Sequence, residues 1–165
     1  MKKWFPFIGT MVIVGCGAIL HYSLSLSGMA AWSFIVSSVN GSAWELYKPV
    51  GIVYIFWIVI ELSYLRPSLM HFVCSKVVGM YVLCLTALAV GIAVQPLREV
   101  FSEMHFWIVA LVSVSSAQMT GYGIYRSDVK IEILYVPLLL SILCMVFMLL
   151  FLSFYPPHWI IFTEK

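Results

Sequence analysis

Five long, continuous apolar runs are the feature that most constrains this chain. They cover residues 4–26, 45–65, 69–94, 105–125 and 132–155, and each is near or above the about 20 residues that a helix needs to span hydrocarbon. Apolar residues follow one another without the alternation of a membrane strand. The runs leave no room for a soluble domain, a low-complexity tract or a repeat among the 165 residues. Only 10% of the residues are charged and the mean hydropathy is +1.05, against about 25% charged in soluble domains. The expectation is therefore an all-α polytopic membrane protein, a bundle of five transmembrane helices forming one domain over 1–165.

The start, "MKKWFPFIGTMVIVGCGAIL", imitates a signal peptide, and Val14-Gly15-Cys16 imitates a lipoprotein cleavage site. The apolar run continues past Cys16 to Leu26, where a cleaved leader would give way to polar mature sequence, so the segment is read as the first membrane helix. Cys16, Cys74, Cys84 and Cys144 all fall within apolar runs and form no CxxC pair. They are expected as small core residues rather than disulfides or metal ligands.

Lys and Arg placement sets the expected orientation. With the N-terminus inside, Lys2, Lys3, Arg66, Arg126 and Lys130 lie on the cytoplasmic side, and Lys48, Arg98 and Lys165 lie outside. This bias favours N-in, C-out, in the inner (plasma) membrane of a bacterium. The net charge of +2 is ordinary positive-inside bias. With no P-loop, dinucleotide fingerprint or basic patch, nucleic acid is excluded as a partner.

Between the first two runs lies a polar insert, "SSVNGSAWELYKP". Ser42-Ala43-Trp44-Glu45 fits a capping box opening the second helix, Asn40-Gly41 fits a turn, and Pro49 falls in the helix's first turns. Residues 27–44 form an interfacial or re-entrant loop, of which Met29 to Val39 is the apolar part. Ionisable groups inside a membrane each demand a partner or a task. Glu61 and Lys76 are expected at similar depth across the short "YLRPSL" connection, as a structural ion pair. At the outer face, His21, Asn40, Glu45, Glu103, His105 and His158 share one depth. His21, Asn40, Glu45 and His158 are the candidate binding cluster, and His21, Glu45 and His158 could ligate a divalent metal such as zinc. No HExxH-type spacing sharpens that expectation. In "SVSSAQMTGYG", Ser113, Ser116 and Thr120, with Ala117 and Gly121, read as close helix packing; Gln118 would line a polar pathway if one existed.

The stretches "LHYSLSLSG", "VNGSAWELYK" and "FYPPHWIIF" resemble an uncharacterised family of small prokaryotic multi-pass membrane proteins. That family has a His-aromatic pair closing the first helix, a Val-Asn-Glu-Ser-x-Trp-Glu-His loop and a late aromatic-Pro-Pro-His segment, and the likeness runs through almost the whole chain. It falls on His21, Asn40, Ser42, Trp44, Glu45 and His158. It implies relatives that continue several residues past Lys165, and it imports no activity. The loop's first Glu is Gly41 here and its His is Leu46, so two candidate ligands are missing.

Two functional classes remain open. One is a non-enzymatic accessory, binding or small-molecule-transport component, with the lipid bilayer and a membrane protein or second copy of the chain as partners. The other is an intramembrane metal-dependent enzyme acting on a lipid or other amphipathic substrate at the outer leaflet.

Overall fold

The computed structural model describes residues 4–26, 37, 43–65, 68–97 and 104–154. Five helices follow in order: α1 (Phe5–Leu26), α2 (Ala43–Leu65), α3 (Leu69–Val94), α4 (Met104–Arg126) and α5 (Tyr135–Phe154). A 3-10 turn, Gln95–Leu97, extends α3, and another, Ile131–Leu134, leads into α5. No strand occurs among the described residues.

Helices α1, α2 and α3 are long and apolar enough to cross a membrane. At about 1.5 Å per residue, even the shortest of the three extends roughly the thickness of the hydrocarbon core. The five-span expectation is met only in its coarser form, a bundle of five helices with three membrane-length apolar ones. α5 contributes a shorter apolar stretch, Tyr135–Met148. α4 is interrupted by serine, glutamine and threonine, and its place in the bundle explains why. It packs most extensively against α3 and also against α1 and α2.

The polar and apolar faces of α4 are inverted relative to a water-soluble helix. Trp107, Ile108, Leu111, Val112 and Met119 are exposed, whereas His105, Ser113 and Gln118 are buried. The same inversion runs through the chain: Phe7, Met11, Phe56, Ile60, Leu85 and Phe147 face outward while Glu45, Lys48, Glu61 and Lys76 are enclosed. Hydrocarbon solvates such a surface, and protein must then satisfy the polar groups. The molecule is thus built as a membrane-associated helical protein.

Two glycines set how closely the helices approach. A Cβ on Gly79 of α3 would lie 2.9 Å from the Ala117 carbonyl of α4 and would run into the Tyr54 hydroxyl of α2. On Gly9 of α1 it would lie 2.7 Å from Trp57 Nε1 and 2.8 Å from Gln118 Nε2. Each glycine therefore admits the polar tip of a large side chain from another helix.

Pro49 lies in the second turn of α2, within the expected first turns, and the Glu45 carbonyl lacks its usual i+4 amide donor. One local expectation needs correcting. The cysteines are not uniformly core: Cys74 is buried and Cys84 half-buried, but Cys16 and Cys144 are exposed. Helical phase, which an unbroken apolar run conceals, turns the latter two outward.

Candidate functional site

Among the described residues, the buried polar side chains form two layers. The first lies toward the end of the bundle that carries Phe5 and Arg126. There Lys76 of α3 forms an ion pair with Glu61 of α2. The Lys76 ammonium also donates to Gln118 Oε1 of α4 at 3.0 Å, and it stands 5.7 Å from the centroid of the Phe72 ring, one helical turn back along α3. Glu61, Lys76 and Gln118 are all 0% exposed. Carboxylate, amide and ring together replace the water that the ammonium has lost.

Three further donors surround this centre. Tyr54 Oη, Trp57 Nε1 and Gln118 Nε2 are buried without a hydrogen-bond partner among the described residues. Tyr54 and Trp57 stand seven and four residues before Glu61 on α2, two turns and one turn away on the same face. The sequence marks Glu61, Lys76 and Gln118 by their polarity. Tyr54 and Trp57 were missed, because an aromatic side chain in a membrane run ordinarily reads as packing.

The second layer lies at the opposite end, where α1 reaches His21 in its last turns and where α2 and α4 begin. The His21 ring stacks on Phe106 of α4, centroids 4.2 Å apart and planes 14° from parallel, and it meets Tyr22 edge-on. His105 of α4 lies within electrostatic reach of His21. The Ser37 hydroxyl donates to the His21 backbone carbonyl at 2.6 Å, tying the connection after α1 back to its helix. On α2, Glu45 accepts from Lys48 at 2.9 Å, with both side chains buried. In the sequence Lys48, one turn along the helix, reads only as an outer-face charge. Its i,i+3 spacing from Glu45 was the available signal.

The stacking on Phe106 sets His21 against the start of α4, which also carries His105, and Glu45 is already paired with Lys48. Asn40, Glu103 and His158, with Ser42 of the expected capping box and most of the loop 27–44, lie outside the described residues. Among the described residues, no three His, Cys, Asp or Glu side chains are grouped to hold a metal ion.

Among the described residues, mostly apolar side chains fill the space between the layers. Glu45 and Glu61 are 16 residues apart on α2, and His105 and Gln118 are 13 apart on α4, or roughly 24 and 20 Å along the helix axes. Val50, Leu83, Val109, Ala110 and Val114 fill that interval, each at most 1% exposed. Ser113, also within it, turns its hydroxyl back to the Val109 carbonyl of its own helix at 2.6 Å. In this conformation no chain of polar side chains among the described residues joins the layers. No protein-family model, curated protein or solved structure matches the chain.

Proposed function

We propose that the protein is a multi-pass component of a bacterial inner membrane, with five membrane helices, N-terminus inside and C-terminus outside, and a non-enzymatic accessory or binding role. The observation that carries this reading is the closed Glu61–Lys76–Gln118 network, 0% exposed at all three residues and separated from the opposite polar layer by close-packed apolar side chains. A transported ion or polar solute needs a wet route or a facing vestibule at that depth. A self-paired charge network in a close-packed apolar interior instead specifies how helices assemble.

The test is reconstitution of the purified chain in liposomes carrying internal pH and potassium indicators. Under imposed gradients, flux is expected to equal that of protein-free vesicles, for the parent chain and for Glu61→Gln alike. A saturable flux that Glu61→Gln abolishes overturns the reading in favour of transport.

The His21 ring, stacked at the start of the helix that carries His105, favours one further reading, the metal-dependent enzyme with His21, Glu45 and His158 as ligands. That site requires Glu45 to leave Lys48 for a metal. Near-stoichiometric zinc in the purified protein, lost in both His21→Ala and Glu45→Ala, would establish it in place of the accessory role.

A further inference from the structure

Beyond the two polar layers, α5 forms one wall of a cleft of about 470 Å³ whose other walls are α2 and α3. Sulfur lines much of it. Cys84 projects from α3, and Cys144, Met145 and Met148 project from α5, with the rings of Tyr47 and Tyr81 beside them. Ser141, Cys144, Met145 and Met148 follow the i, i+3, i+4, i+7 spacing that sets residues on one stripe of a helix. The Tyr47 hydroxyl donates to Met145 Sδ at 3.8 Å, fixing the α5 stripe against the bundle. Cys84 is half-buried and Cys144 exposed, so the thiols are reachable from the membrane side.

We infer that this cleft binds a soft monovalent metal ion, cuprous copper, through the Cys84 and Cys144 sulfurs with thioether support from Met145 or Met148. Soft thiolate and thioether sulfur suits Cu(I), zinc and iron–sulfur clusters, and within that set the thioether donors favour Cu(I). The thiolate is the metal-binding form, so each thiol loses its S–H bond and forms an S–Cu bond, the two protons leave to solvent, and copper remains Cu(I) throughout. Tyr47 acts as an outer-shell partner that orients Met145. This site is independent of the accessory role proposed above.

The test uses the full chain, reduced and reconstituted in nanodiscs, titrated anaerobically with the Cu(I)–bicinchoninate complex. The chain is expected to withdraw one copper per molecule, with X-ray absorption showing sulfur as the nearest scatterer. Cys84→Ser and Cys144→Ser should each weaken binding by more than the roughly 10- to 100-fold that loss of an outer-shell partner costs, and Tyr47→Phe should fall within that range. Cys16→Ser, an exposed thiol on α1, should bind as the parent does. Met145→Leu with Met148→Leu, close in volume to the parent, supplies a well-packed variant if a serine variant fails to fold, and it too should bind more weakly. Failure to withdraw copper, a nitrogen-dominated shell, or undiminished binding by the Cys84→Ser/Cys144→Ser chain overturns the assignment.

Discussion

Changing Glu61 to glutamine keeps the shape of the side chain and a hydrogen-bonding head but deletes the charge facing Lys76. The ammonium stays 0% exposed, with Gln118 Oε1 at 3.0 Å and the Phe72 ring as its remaining partners. Two unit charges about 4 Å apart interact by roughly 4 kcal/mol at an effective dielectric constant of about 20. The glutamine recovers about 1 kcal/mol through a hydrogen bond, leaving a loss of about 3 kcal/mol, at the lower edge of the about 3–5 kcal/mol expected when one member of a buried pair is removed. That corresponds to a folded-to-unfolded ratio lower by roughly 100-fold.

Replacing both partners, Glu61→Leu with Lys76→Met, removes the stranded charge. It leaves Gln118 Oε1 without its donor, a cost of about 1–3 kcal/mol, partly offset because apolar replacement of a buried pair is often neutral or favourable. The double variant should therefore be more stable than the better of the two single variants. SDS titration of the protein in mixed bicelles, followed by tryptophan fluorescence, gives the four stabilities of the cycle. A loss below about 1 kcal/mol in Glu61→Gln, or a coupling energy indistinguishable from zero, refutes the pairing argument.

Gly79→Ala should destabilise the protein by about 1–3 kcal/mol through overpacking, since its Cβ meets the Ala117 carbonyl and the Tyr54 hydroxyl. Gly15→Ala, which meets nothing within 4 Å, should be neutral or stabilising by up to about 1 kcal/mol. Equal effects in the same SDS titration would refute the close contact of α3 with α4. For orientation, alkaline phosphatase inserted between Ser127 and Lys130 is expected to be inactive and a fusion after Lys165 active, because the basic bias places these points on opposite sides. The reverse activities would invert the topology.

The sequence alone determined the helices and their solvent. Long apolar runs need only one-dimensional information, and α1, α3 and α4 begin and end within two residues of those runs. The facing of Glu61 and Lys76 was legible for a related reason, since a short connection leaves adjacent helices little choice but to run antiparallel. Tertiary structure decided which face of each helix meets protein. In a membrane both faces are apolar, so hydropathy does not distinguish a lipid-facing leucine from a buried one, and exposed Cys16 reads like buried Cys74. The gathering of Tyr54, Trp57 and Gln118 around the ion pair depends on helical phase and on the gaps left by Gly9 and Gly79, neither of which an apolar run records. Glu45 carried the same ambiguity: as a letter it suits a metal ligand or a capping box, and only the helix geometry that sets it against Lys48 assigns its charge to a neighbour.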